Sequence, residues 1–441
     1  MQFSLHIGAE LSLENFSLPQ LILAVKELFD REGLPGFLKA FLKIVEQKLI
    51  QSGVVCKHCQ NSKIHVHGVS QRQLRTSIGI IVLDLIRMRC QDCKKTFTPM
   101  SRLLDVDAFA RKSREFEKLS LETVAEQSYR RSSEHLKKTL GFSAPHTTLH
   151  RWVMSGHQIV TSVVHRVQTL IADGTGYKKK LDENGSNRGE VRVVLGLNKD
   201  GELIPYGAWT EASWKDIGRW IKSANHSSEK IKFKPIAEVL VTDGEEELIN
   251  ALKKLSKTHQ RCLFHMTYEI DGLLMYKDGV GKERATEITE QLGKLLYLDL
   301  PELGPDPLKN LEHKLKIEVQ LKEVQKSLDA FIAMLKGMGY RKAYGFVENA
   351  RDQLYTYVMD WLKTDASNPR VTSLIERVMR EIKRRIKKIG SGWSEKGAER
   401  MTRLVLLRLS RTQHQWEEHW KNQMGTDANL KLTFLGVTVQ N

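Results

Sequence analysis

The chain has 441 residues, 41% hydrophobic and 28% charged, which allows several domains and excludes a disordered, collagen-like or disulfide-scaffold protein. Lys and Arg number 69 against 53 Asp and Glu, a net charge of +16 that favours a polyanionic partner such as nucleic acid. No apolar run reaches the ~18 residues of a membrane span, no basic amphipathic anchor marks either end, and MQFSLHIGAE lacks the cationic flank and apolar centre of a signal peptide.

Residues 1–50 form an N-terminal helical region, with helical spacing in LPQLILAVKELF and GFLKAFLKIVEQKLI and a break at Gly33–Gly36. These helices can cover the next module or a second subunit. Residues 51–105 hold two Cys-x-x-Cys pairs, Cys56/Cys59 and Cys90/Cys93, separated by strand-like text. Such knuckles bring four thiolates to one tetrahedral Zn²⁺, so a zinc ribbon with one structural zinc is expected. Four thiolates leave no open position for catalysis, and His58, His65 and His67 read as surface residues. Paired thiols also suit a reducing compartment.

Residues 106–160 read as three helices, REFEKLSLETVAEQ, SSEHLKKTLG and APHTTLHRWVMSGHQIV. Gly141 can end the second, Ser143 can cap the third, and Pro145 suits its first turn. This pattern fits a helix-turn-helix whose third helix enters a major groove with His146, Thr147, His150 and Arg151, and with Trp152 turned inward. A plain helical linker is the alternative.

From about Val163 the texture becomes α/β. VQTLIADGTGY, GEVRVVLGLN and ELIPYGAWTE read as strands, with a turn at Asn198–Gly201; SWKDIGRWIKSA is a helix, IAEVLVTDG a buried strand, EEELINALKKL a helix and QRCLFHMTYEI a further strand-like run. The order β-β-β-α-β-α-β is that of an RNase H-like fold. Residues 271–365 are nearly all helix formers and read as a helical insertion, so the catalytic domain comprises 161–270 and 366–412, followed by a tail at 413–441. The fold class is therefore multidomain α/β plus α.

After the insertion, TSLIERVMREIKRRIKK carries two stripes. Val371, Ile375, Val378, Ile382, Ile386 and Ile389 form the apolar one. Glu376, Arg380, Lys383 and Lys387 form the other, one acid heading a basic track, with Arg384 beside it. That arrangement suits a carboxylate holding a metal and cations (Arg380, Lys383, Arg384, Lys387) holding a DNA backbone.

Asp173 follows VQTLIA and Asp243 follows VLVT, each ahead of a glycine. Either alone is an ordinary turn. Two acids on neighbouring strands with Glu376 on a covering helix make a set that would retain protons unless cations sit between them. Oxygen donors at that density suit two Mg²⁺ or Mn²⁺ ions, the arrangement for attack on a phosphodiester. Glu381 is the nearest competitor for the third position.

These features resemble the DDE transposases of bacterial insertion sequences, in particular the Mutator-like class with a helical insertion. The resemblance covers the paired cysteines, the three short helices and the interval from Asp173 to Leu409. It implies Asp173, Asp243 and Glu376 as the metal-binding acids. The family's Cys-x-x-His after the second acid is present as Cys262-Leu-Phe-His265, preceded by Gln260-Arg261. Cys262 reads as a core strand thiol, and His265 as a group facing the active site, able to donate to a phosphate oxygen. The family has Thr-Asn ahead of the third acid and often a polar residue three after it, whereas this chain has Thr372-Ser373 and Met379. GSGWSEKGAER also looks like the family; Trp393 there is a hydrophobic plug or a base-stacking residue, and Trp361 is a weaker candidate for stacking. The implied function is a transposase that binds element ends on double-stranded DNA, hydrolyses a phosphodiester and joins the 3′-hydroxyl to target DNA. It implies a homodimer or higher assembly on DNA, associated with the nucleoid in prokaryotic cytoplasm and not with a membrane. A nuclease without strand transfer and a non-catalytic DNA-binding regulator are the alternatives.

Overall fold

The computed structural model describes residues 18–101, 104, 111–155, 166–180, 187–224, 234–365, 368–388, 392–409, 416 and 420. It is a mixed α/β protein dividing into two compact units, Met1–Trp152 with Glu417–Asn441, and Val153–Trp416. Among the described residues no helix is long and apolar enough to cross a membrane. Ile389, the strand-like LKLTFLGVTVQ and residues 156–160 of the third expected DNA-binding helix lie outside the described residues.

In the first unit, α1 (Leu18–Leu28) passes through a π turn at Phe29–Gly33 into α2 (Leu34–Gln51), so the expected break is a local widening of the helix. Strands β1 (Ile64–Thr76) and β2 (Gly79–Cys90) form a long antiparallel hairpin, to which β3 (Thr96–Phe97) adds a short edge. Leu74, Ile81, Leu83 and Leu85 alternate along the hairpin and pack against Leu38, Leu42, Val45 and Leu49 of α2. Glu46 is buried in that contact because its Oε1 accepts a 2.9 Å hydrogen bond from the Ile86 N–H.

Three helices follow: α3 (Arg114–Glu126), α4 (Tyr129–Leu140) and α5 (His146–Ser155). The Ser128 hydroxyl caps α4 by accepting from the Arg131 N–H, and Gly141 ends it in the left-handed region, φ +77°. Trp152 packs edge-on against Phe116, as its place beside the apolar positions suggested. Ser143 does not cap α5; its hydroxyl instead meets that of Ser133 at 3.1 Å.

The second unit is built on a five-stranded mixed sheet of order β6-β5-β4-β7-β8. The strands β4 (Val167–Lys178), β5 (Arg188–Leu197) and β6 (Leu203–Thr210) are antiparallel, whereas β7 (Ala237–Thr242) and β8 (Ser256–Arg261) run parallel to β4. Helices α6 (Trp214–Ala224) and α7 (Glu246–Leu252) cover one face through Trp214, Ile217, Ile221, Leu248 and Leu252, packed on Leu170, Ala172, Val194 and Leu240.

Five helices come next: α8 (Leu263–Tyr276), α9 (Lys282–Leu296), α10 (Pro307–Gly337), α11 (Arg341–Ala350) and α12 (Thr356–Thr364). They share a core that includes Met266, Ile270, Ile288, Leu292, Phe331, Leu335 and Val347. This body is tied to the sheet by Gln260 of β8, whose amide donates to the Leu354 carbonyl and accepts from the Tyr357 N–H. The chain then enters α13 (Ser373–Lys383), which packs on β4, and α14 (Glu395–Leu409), which packs on β6. The apolar stripe of α13 is buried as its periodicity required, at Ile375, Val378 and Ile382, with Ile386 buried in the π turn that follows.

One expectation is corrected. QRCLFHMTYEI is not a strand: β8 stops at Arg261 and α8 begins at Leu263. Leu263, Met266, Ile270 and Leu274 recur at spacings of three and four and are buried on one helical face, and that longer period prevails over local β propensity. Cys262 is therefore a helix-cap residue and not a strand thiol.

His259 on β8 has its Nε2 2.9 Å from the Thr242 hydroxyl, and its pKa is lowered to about 4, chiefly by burial and then by Arg261 and Lys253. The fold thus favours the neutral ring. Stability is full above the unfolded value of ~6.5 and is lost as pH falls from there towards 4, by roughly 2 kcal/mol after allowance for partial exposure. In urea denaturation at pH 7 and 4.5, His259→Gln should flatten that part of the acid sensitivity. An unchanged pH dependence would contradict it.

Candidate functional site

In the first unit, Cys56 and Cys59 precede β1, while Cys90 ends β2 and Cys93 follows it. Each knuckle turns through a residue in the left-handed region just after its second cysteine, Gln60 and Lys94, both at φ +58°. The Sγ atoms of Cys56 and Cys93 are 3.6 Å apart, those of Cys59 and Cys90 3.5 Å, and all four lie within 4.8 Å of one another. A Zn–S bond of ~2.3 Å in a tetrahedron requires sulfurs ~3.8 Å apart. The cluster therefore could hold a metal such as zinc. His58, His65 and His67 are exposed and outside it.

The acids belong to the second unit. Strands β4 and β7 pair in parallel up to Ile171 and Val241. Asp173 and Asp243 each stand two residues beyond that pair, so the alternation of side chains sends both to the same face. Asp173 is not at a strand end as expected, since β4 runs on to Lys178 paired with β5. It is β7 that stops, opening the sheet beside it.

Asp173 accepts from the Gly174 N–H at 2.6 Å. Its carboxyl is pushed up to about 6, first by burial, with Asp243 adding to the rise and Lys383, Gly174 and His265 opposing it. Glu376 comes from the first turn of α13, where the Thr372 hydroxyl donates to its Oε1 at 2.9 Å. His265, one turn into α8, has Nδ1 4.0 Å from Glu376 Oε1 and 3.3 Å from Cys262 Sγ. The Thr372 N–H also donates to that sulfur at 3.3 Å, and the Leu263 N–H donates to the Arg370 carbonyl. These bonds fasten the approach to α13 onto the start of α8. His265 is raised to about 9, first by its hydrogen bond with Cys262, and then by the charges of Cys262, Asp243 and Glu376.

Asp173, Asp243 and Glu376 each interact electrostatically with His265, Glu376 at 4.0 Å, but the three acids do not form a closed ligand cage. Among the described residues, the four cysteines are the one group of three or more candidate ligands whose atoms all fall within 4.8 Å. The acids offer oxygen only, and the half-buried Asp173 resists its charge, so this donor set suits a hard divalent cation. Glu381 is turned away from the third position, paired with Arg384 at 2.7 Å.

Three contributions to the electrostatics of this site escaped the sequence reading. Glu269, one turn beyond His265 on α8, is a fourth carboxyl, raised first by burial and also interacting with His265, Arg261 and Asp243. Reading α8 as a helix would have found it, since His265 and Glu269 are four apart. Lys383, expected on DNA, lies close enough to Asp173 to lower its pKa. Arg261 is 6% exposed, lies over the Phe346 ring and reaches under the Asp243–Gly244 turn.

The backbone at Gly244, with that contact against it, disfavours any side chain there. It sits at φ +115°, and a Cβ there would fall 1.4 Å from Arg261 Nη1. Gly244→Ala should lower stability by ~2 kcal/mol or more, seen as an earlier urea midpoint. A midpoint equal to wild type would refute this reading of the turn.

Of the remaining expected DNA contacts, His146, Thr147, His150 and Arg151 are exposed on α5, and Arg380 and Lys387 are exposed on α13 and the turn after it. Arg384 is engaged by Glu381. Trp393 is a buried plug whose Nε1 donates to the Ile386 carbonyl at 2.9 Å. Trp361 is 3% exposed within the helical body and cannot stack on a base, which corrects that candidate. No protein-family model matches the chain, and no curated protein matches it.

Proposed function

We propose that this protein is a DDE-type DNA transposase, with Asp173, Asp243 and Glu376 as its metal-binding acids. The observation that carries the reading is that these three carboxyls, from strand, loop and helix far apart in the chain, all interact electrostatically with His265, Glu376 at 4.0 Å from its ring. The strand order β6-β5-β4-β7-β8, three antiparallel strands then two parallel ones, supports an RNase H-like core. The capped helix α4 and the following α5, with polar residues exposed on α5, support a helix-turn-helix.

Bound divalent cations, Mg²⁺ or Mn²⁺, would supply an activated water or 3′-hydroxyl and charge neutralisation at the leaving oxygen. The residues would hold these ions through Asp173, Asp243 and Glu376. The protein's own part is positional and electrostatic. Thr372 orients the Glu376 carboxylate. His265, held by Cys262 and charged at neutral pH, is placed to donate to a non-bridging phosphate oxygen. Lys383 offsets the charge of Asp173, while Arg380 and Lys387 offer cations to the backbone of double-stranded DNA.

Incubation with Mg²⁺, DNA flanking the protein's own coding region and a target plasmid should yield molecules in which an end is joined to target. Cleaved ends without joined product would favour the metal-dependent nuclease, and binding without cleavage the regulator.

A further inference from the structure

Helix α10 carries apolar rows on two opposite sides. Ile317, Leu321 and Leu328 of the inner row are buried in the helical body. Half a turn away, Leu308, Leu311, Leu315 and Val319 follow at spacings of three and four, exposed by 79, 55, 56 and 56%. Single exposed leucines are ordinary on a protein surface. Four in a continuous row along one helix have the spacing of a helix-pair seam and, among the described residues, are not covered by another element. We infer that this row is a self-association surface, on which α10 of a second copy of the chain docks antiparallel.

The direction follows from the residues around the row. An antiparallel pair centred near His313 sets Leu311 of one copy beside Leu315 of the other, and Leu308 beside Val319. On one flank Glu312 of each copy then faces Lys316 of the other, and both residues are exposed. Past Val319 the row continues as Lys322 and Lys326. Antiparallel docking carries Lys322 to the helix start of the other copy, where Asp306 is the N-cap. Parallel docking would stack Lys322 on Lys322 within the seam, a like-charge contact.

Four side chains a copy remove on the order of 800 Å² from water in total, below the ~1,200–2,000 Å² of a stable interface. The pairing is therefore weak and reversible in free protein, and two copies held on one DNA would meet at a higher effective concentration. The surface itself does not depend on the transposase reading.

Sedimentation equilibrium of the full chain without DNA, from about 5 to 200 µM, tests it. A reversible monomer–dimer equilibrium is expected, weakened ~10-fold or more in a Leu311→Glu, Leu315→Glu variant whose thermal melt is unchanged. Glu312→Lys and Lys316→Glu should each weaken it several-fold, and the two together should restore it to within about two-fold. A monomer throughout that range, a dimer indifferent to the leucine changes, or a charge reversal that only adds the two losses would each overturn the proposal.

Discussion

Asp173→Asn is expected to abolish strand cleavage, by on the order of 10³-fold or more, while leaving DNA binding intact and raising the stability of the metal-free protein. The two effects share one cause. Asparagine is isosteric with the carboxylate and its Oδ1 can still accept from the Gly174 N–H. It lacks the charge that a divalent cation requires, and loss of metal ligation costs several kcal/mol in the transition state. Without metal, that same charge is unfavourable where it sits, half-buried and near Asp243, which is why the carboxyl rises to about 6. A carboxyl raised in the folded state costs stability wherever the unfolded chain would ionise it, so at pH 7 the amide should gain about 1–2 kcal/mol. Mg²⁺ should then stabilise wild type but not the variant, by mass action on a site that one of them lacks. Urea midpoints with and without Mg²⁺, beside a cleavage assay and a DNA-binding isotherm, give all three readings. Cleavage surviving in the variant would remove Asp173 from the chemistry.

Wild type is expected to bind one zinc ion per chain at the cysteine cluster, and Cys90→Ser to bind none and to unfold the β1–β2 hairpin around it. The local apolar support there is small: Cys56, Met88, Cys90 and Phe97, with Ile50, Val54, Ile64 and Ile86 at its edge. Metal binding in such modules provides about 10–16 kcal/mol of folding free energy, more than a core of this size supplies. Proteolysis should cut the variant within residues 56–97 and spare the sheet of the second unit. Chelation of wild type should reproduce the pattern, since removing the ion and removing a ligand both leave thiols with no metal to hold them together. A metal-free, protease-resistant variant would show that the hairpin stands without zinc.

The paired cysteines were legible because both partners of each knuckle are three residues apart, so the turn that joins them is a local matter. The strands β4 to β7 and the buried face of α13 were legible for a similar reason, since periodicity reports burial directly. The run from Cys262 to Ile270 was misread as a strand because a short apolar run is compatible with both periods, and only its packing against α9 and α11 selects the helix.

Local order along the chain thus sufficed for the cysteine knuckles and the succession of elements. It could not bring Glu269 within electrostatic reach of Asp243 or Lys383 within that of Asp173, bury Trp361 or leave an apolar row on α10 exposed. Those outcomes depend on which distant segments come together, and the free energy that selects them is burial and charge pairing across long separations in sequence.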